Sequence, residues 1–516
     1  MRGLTSWAFE AAYALIFLLP EAIVRLLASP AIRLHCIGSP IDWLPYPSKA
    51  THEPVSLVLS TRPLHRRLLT LAWPIIIQFY LLQLTGLVDN LMVGQFGEQT
   101  IAALGICLQL NFLVVLCYAA LTEGGAVIVA QLRGARRLDE IRETLGTLLV
   151  AGLAVGSVIG LVYILFGESM LALVTTDLFR PPEERSELPG LGYTYLGIIG
   201  LGMPFLVTSH VAMFILQALG NTHTPMRLML YSNLINGIGN FILLFGGAIP
   251  GLTEPLFTPL GLAGVAISTS LSWAFQSVML VRAALHHPSV AMPLRQVGVM
   301  AWGRLGRVMK LGYPLSLDGF LWQGSAFIYT MMFNRVGAAA YAAFLIASTI
   351  RGFSLAPGLG LQQATSILLG SSLGANRVRQ SRSYVRVGWQ LMMLTLPALT
   401  LLVALLTPLF TMLYDISAQT RDWVIWMVGL SVLYSAATAV TMVVPGVLRA
   451  GGDTRAPMVI TFLGFAVVGL PFAWLAGFQW GFGLWGVFAG FVADEVAKAL
   501  MMVVYLRRET WLRRVV

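Results

Sequence analysis

From about Leu64 onward, long apolar stretches alternate with short polar ones, each long enough to cross a hydrocarbon core of roughly 30 Å as a helix. The pattern predicts twelve such segments, near 69–96, 104–132, 144–167, 191–217, 227–249, 260–285, 305–334, 341–371, 384–413, 423–449, 457–477 and 482–506. They lack the period-two alternation of barrel strands. Inside lipid the backbone has no water to satisfy it, so helices are expected throughout. The predicted fold class is an all-α membrane protein of twelve transmembrane helices.

The chain also repeats. At an offset of 240 residues, LAWP from Leu71 pairs with LGYP from Leu311, and MVGQFGEQTIAA from Met92 pairs with MFNRVGAAAYAA from Met332. The same offset aligns Gly134, Ala135, Arg137 and Arg142 with Gly374, Ala375, Arg377 and Arg382. At 232, LQALGNTHTPM from Leu216 faces LRAGGDTRAPM from Leu448, and at 222 Gly261 and Gly264 face Gly483 and Gly486. Each half holds six spans, so both halves enter the membrane in the same sense and a pseudo-two-fold along the membrane normal is expected, as in transporters. The implied division is an N-terminal extension (1–62), an N-lobe (63–286), an inter-lobe linker (287–303), a C-lobe (304–508) and a C-terminal tail (509–516). The apolar run from Ala11 is too short to span comfortably; residues 1–60 read as a peripheral extension or an over-long start without functional weight.

Composition agrees with a polytopic membrane chain: 57% of the 516 residues are hydrophobic and 11% charged, against about 25% charged in soluble domains. Mean hydropathy is +0.78. The net charge of +10 sits mainly in loops on one side, including Arg66, Arg67, Arg133, Arg136, Arg137, Arg142, Arg304, Arg307, Lys310, Arg377, Arg382 and Arg455. By the positive-inside rule that side is cytoplasmic, both ends of the transmembrane core with it, and nucleic acid need not be invoked. The 168–187 loop, with Arg180 and Arg185, falls outside and is mainly acidic. Cys36, Cys107 and Cys117 show no metal or redox spacing, and no Walker sequence appears, so the energy is expected from an ion gradient, with no cofactor and no enzymatic activity.

Ionisable groups inside spans are costly and mark function or pairing. Asp89 shares a stripe of the first span with Gln78 and Thr85. A carboxylate in a low-dielectric cavity has its neutral form favoured, so it can load and release a proton; with further oxygens it can instead bind Na+. The alternative is a hydrogen-bonded packing acid, against which stands Tyr329 at the equivalent place in the second half. Asn233, Asn236 and Asn240 line one face of the fifth span, either completing a cage around Asp89 or bonding neighbouring helices. Asp318, Trp322, Ser325 and Tyr329 form the corresponding stripe on the seventh span, with Asp318 either attracting a cation or solvated near the helix start. Glu123 is a proton-path partner or a packing acid, Arg351 pairs with an acid or snorkels, and Asp494 and Lys498, four apart, neutralise each other.

WP at Trp73, Asp89, MVGQFG, VAQLRGARR and the LQALGNTHTP/LRAGGDTRAP pair resemble the multidrug and toxic compound extrusion (MATE) family of the MOP superfamily, with similarity to its DinF-like branch. The resemblance covers about Leu64 to Arg508. It implies two six-helix lobes and an inner-membrane antiporter of bacterial type, working as a monomer, that exports organic cations or amphipathic drugs in exchange for H+ or Na+. It further implies ion or proton coupling at Asp89 and a bend near Pro74. The acid that some members carry at the position of Asn240 is an amide here, and the C-lobe acids of another branch align with Trp322 and Thr438. A lipid-linked oligosaccharide flippase of the same superfamily, or a non-transporting membrane scaffold, are the rival readings.

Overall fold

A computed structural model of the chain describes residues 62–175, 188–247, 256–293, 296, 297, 301–412, 414 and 416–516. The N-terminal segment with Cys36, and Arg180 and Arg185 of the acidic loop, lie outside the described residues. Twelve long helical rods, and no strand among the described residues, make up the fold: α1 (Arg62–Val93), α2 (Glu98–Gly134), α3 (Leu138–Val174), α4 (Leu188–Ala218), α5 (His223–Phe245), α6 (Gly261–Leu285), α7 (Trp302–Val336), α8 (Ala338–Gly374), α9 (Val378–Thr411), α10 (Ala418–Ala450), α11 (Arg455–Gln479) and α12 (Gly483–Leu506). Ten are long and apolar enough to cross a membrane. The other two are α7, which carries Arg304, Arg307, Lys310 and Asp318, and α12, where Asp494, Glu495 and Lys498 fall close together.

Two expected spans end earlier than their apolar runs. The 69–96 segment stops as a helix at Val93 and continues as a 3-10 turn to Phe96. The 227–249 segment stops at Phe245, because Gly246 and Gly247 take φ of 67° and 75°, outside the helical region. A hydropathy window averages over such short turns of two or three residues and so runs past the helix end.

Backbone conformation reproduces the repeat at every offset. Arg136 and Asn376, 240 apart, have φ of 59° and 57°; Gly220 and Gly452, 232 apart, have 80° and 79°; Gly261 and Gly483, 222 apart, have 56° and 54°. Left-handed conformations are rare for non-glycine residues, so the Arg136/Asn376 match marks two copies of one turn.

The chain clusters into two compact units. One holds Tyr80–Arg133 and Arg137–Ser316; the other holds the described residues up to Phe79, Gly134–Arg136 and Leu317–Val516. In the first, α4 packs against α3 and α6, and α6 against α5. Gly160 and Gly200 face each other there, so that a Cβ on either would meet the other's carbonyl, and α3 and α4 cross at backbone distance. The core around them includes Tyr163, Tyr195, Leu196, Met203 and Val265. In the second unit α10 packs against α8, α9 and α12, and α11 lies on α12. Its core is more aromatic, with Tyr329, Phe333, Phe344, Tyr434 and Phe488.

Candidate functional site

The site is built where α1, α5 and α6 of the first unit meet. Asp89 lies one turn before the end of α1 and is 7% exposed. Asn236 and Asn240, a helical turn apart on α5, are both buried. Asn240 donates from Nδ2 to Asp89 Oδ1 at 2.5 Å, and its Nδ2 is 3.4 Å from Asn236 Oδ1. Asn236 Nδ2 in turn donates to Thr269 Oγ1 on α6 at 3.0 Å. Ser268 Oγ donates to the Asn236 carbonyl at 2.7 Å, in the space beside Gly239 that a larger residue would fill. Two turns before Asp89, the Leu81 carbonyl accepts from both Thr85 Oγ1 (2.9 Å) and Asn233 Nδ2 (3.0 Å), which binds α1 to α5.

Two features give this network chemical latitude. Asp89 makes no ion pair among the described residues, so its charge is answered by amide dipoles alone. Asn240 Oδ1 is buried and has no hydrogen-bond partner among them. An amide offers donor and acceptor on one group: Nδ2 serves the carboxylate, and Oδ1 can accept from the protonated acid after a half-turn of the amide. Desolvation makes an unpaired buried acceptor costly, so the orphan oxygen has reason to find such a donor.

The structure therefore brings together Asp89, Asn236 and Asn240, with Thr85 and Asn233 beside them. Gln78, on the same stripe of α1, bonds within its own turn, Nε2 donating to Pro74 O at 3.1 Å, and the helix continues through Pro74. Glu123 is half-buried where Gly124 of α2 approaches Val308 and Gly312 of α7. Thr269 belongs to the site although no spacing along the chain points to it.

The seventh-span stripe is different from its expectation. Asp318 is no solvated terminus: α7 begins at Trp302, and Asp318 is buried with Oδ2 2.8 Å from Arg449 Nη2 and Oδ1 accepting from Thr461 Oγ1 at 2.7 Å. Its charge is answered, and it does not stand ready to attract a cation. Trp322 is 53% exposed, while Ser325 bonds back to the Trp322 carbonyl at 2.7 Å. Tyr329 is fully buried, edge-on to Phe465 and Phe491, and donates to Gly490 O at 3.3 Å. Arg351 pairs with no acid among the described residues; its guanidinium lies 5.0 Å and 5.5 Å from the ring centres of Tyr434 and Phe491 and donates to Thr438 Oγ1 at 3.4 Å. Lys498 does bond Asp494, at 3.2 Å, but Glu495 lies 3.7 Å from the same ammonium, so the pair is a triad.

Comparison with known proteins places this geometry in context. The MatE family model matches residues 74–242 and 314–475, the two halves of the repeat. Uncharacterized transporter YisQ of Bacillus subtilis is 26% identical over 454 residues, covering 87% of this chain and 95% of the relative. Probable multidrug resistance protein NorM of Thermotoga maritima is 22% identical over 453 residues, with 88% and 94% covered. Among solved structures, a MATE protein in its bent conformation superposes with a TM-score of 0.76 at 20% identity, over 86% of this chain and 95% of that one, which shows a shared fold.

Proposed function

The chain belongs to the MatE family of membrane transporters, and from that premise we propose that it is a secondary multidrug exporter of the inner membrane, expelling organic cations or amphipathic drugs in exchange for protons taken up at Asp89. The observation that carries the reading is the Asp89–Asn240 contact: a buried carboxylate with no ion pair among the described residues, held at 2.5 Å by the nitrogen of an amide whose oxygen is unused. Such a group exists in two states. Ionised, it is stabilised by Asn240 and gives the site a negative charge that favours a cationic substrate; protonated, the site is neutral and that attraction is gone. Proton over sodium is favoured because the amide nitrogen occupies the place beside Asp89 Oδ1 where a metal cation would sit.

Names of relatives support the substrate class: NorM of Thermotoga maritima and MdtK of Edwardsiella ictaluri are both named as multidrug resistance proteins. Arg351 speaks against the flippase alternative, since its charge is spent on two rings and a hydroxyl rather than offered to an anionic headgroup. Reconstituted vesicles with an imposed proton or sodium gradient, applied separately, test the reading. Proton-driven efflux of a cationic dye that disappears in Asp89→Asn supports it; sodium-driven efflux, or full activity of Asp89→Asn, overturns it.

A further inference from the structure

A second buried charge cluster lies in the unit formed mainly by the C-terminal half, on α12. Asp494, Glu495 and Lys498 are 2%, 7% and 6% exposed. Lys498 Nζ is 3.2 Å from Asp494 Oδ2 and 3.7 Å from Glu495 Oε1, so one ammonium serves two carboxylates. Thr441 Oγ1 of α10 donates to Glu495 Oε2 at 3.1 Å. Asp494 Oδ1, by contrast, is buried without a hydrogen-bond partner among the described residues. Two acids and one base leave one negative charge over, and burying an uncompensated charge is among the most costly acts in a protein interior.

The neighbouring ionisable groups do not supply the missing cation. Arg449 of α10 is taken by Asp318 of α7 at 2.8 Å. Arg351 of α8 stacks on Tyr434 and Phe491 and forms no ion pair among the described residues. Tyr329 and Tyr434 are neutral phenols, and α11 carries no ionisable residue after Arg455. A metal cation is not called for, because Lys498 already holds the position between the two carboxylates. No cation other than Lys498 touches either carboxylate among the described residues, so a proton is the remaining way to balance the charge at the cluster itself.

The surroundings give an independent reason to look here. α11 is wound as a π-helix over Leu463–Gly469. Gly464 and Gly469, within that stretch, are glycines whose missing side chains leave the space used by Lys498, Asp494 and Tyr329; a Cβ at either would overlap them. π segments inside α-helices are rare and recur at functional sites. Here one is wrapped around the acid with the unused oxygen.

We propose that Asp494 and Glu495 form a proton-binding site around Lys498, in which the two carboxylates share a single proton beyond the ammonium. The proton comes from bulk water and converts one carboxylate to a carboxylic acid; no other bond changes. The site is separate from Asp89 and does not depend on that residue's role.

Infrared difference spectroscopy on an acid jump, with the full chain reconstituted in lipid, reads buried carboxylic acids directly through their high-frequency C=O stretch. In an Asp89→Asn background one such component, amounting to one carboxyl per chain, is expected to remain. Glu495→Gln should abolish it, and so should Asp494→Asn, because either change leaves one acid balanced by one lysine. That double sensitivity is the signature of a shared proton. A component that survives either variant, or its absence from Asp89→Asn itself, overturns the proposal. Glu495→Gln preserves the Asp494–Lys498 pair and carries the test if Asp494→Asn does not fold. Should Asp89→Asn leave the wild-type spectrum unchanged, the reading of Asp89 fails while the triad is still decided by its own two variants.

Discussion

Asn240 and Asp89, 151 residues apart in sequence, are joined by a 2.5 Å hydrogen bond from amide to carboxylate. A hydrogen bond to a charged group contributes about 1.5–3 kcal/mol, and it favours the ionised acid over the neutral one. Removing the donor in Asn240→Leu should therefore make Asp89 hold its proton to higher pH. The pH profile of dye efflux from vesicles is expected to move in the alkaline direction by about one to two units. An unchanged profile would mean that the amide has no part in coupling.

Asp318 and Arg449 allow a structural role to be separated from a transport role. Their side chains are 11% and 21% exposed, and Thr461 completes the carboxylate's partners. Breaking a buried pair from one side strands the other charge, at a cost of about 3–5 kcal/mol, whereas replacing both partners with apolar groups is often neutral. Asp318→Asn should thus lower thermal stability in detergent strongly, and Asp318→Leu combined with Arg449→Met should restore most of it. Efflux by the double variant at near wild-type rate is expected; a stable double variant without efflux would assign the pair to transport instead.

Much of this was legible in the sequence, and most of the exceptions are contacts between helices. The helices and the repeat follow from apolar runs and matching motifs, which are local signals. The Asp89 site was legible because its α1 and α5 members are spaced at helical intervals within each segment. Thr269, the partnership of Asp318 with Arg449, and Arg351's place over two rings are tertiary facts between helices far apart in sequence, and nothing in any one segment encodes them. Glu495 is hidden in the sequence for another reason. As the neighbour of Asp494 it points elsewhere on a helical wheel, yet a long lysine at the third and fourth following positions reaches both. The π windings of α11 leave no mark in composition.

Where α3 crosses α4, the absence of side chains at Gly160 and Gly200 is what lets the backbones touch. Overpacking a filled interface typically costs about 1–3 kcal/mol, and more when the obstacle is backbone that cannot rotate away. Gly160→Leu is expected to lower the melting temperature and the folded yield sharply, while Gly197→Leu on α4, where a Cβ meets nothing within 4 Å, should be tolerated. Equal melting temperatures for the two variants would show that the crossing does not need its small residues.

Each half ends in a strap that folds back on its own third helix, and the two straps separate the worth of charge from that of burial. Arg142 of α3 donates from Nε to Val290 O at 2.5 Å after α6, and its repeat mate Arg382 of α9 pairs with Glu509 at 2.8 Å after α12. Ala291 and Glu509 both adopt positive φ, 43° and 51°, so the straps turn alike. The Arg382–Glu509 side chains are 34% and 27% exposed, and partly exposed ion pairs contribute about 0–1 kcal/mol. Trp511, two residues on, is fully buried, its backbone against Gly451 at the end of α10. Truncating a buried Trp costs about 3–5 kcal/mol. Glu509→Gln should therefore leave the thermal midpoint nearly unchanged, and Trp511→Ala should lower it several times further. If the two variants fell equally, the ion pair rather than the indole would be what fastens the tail.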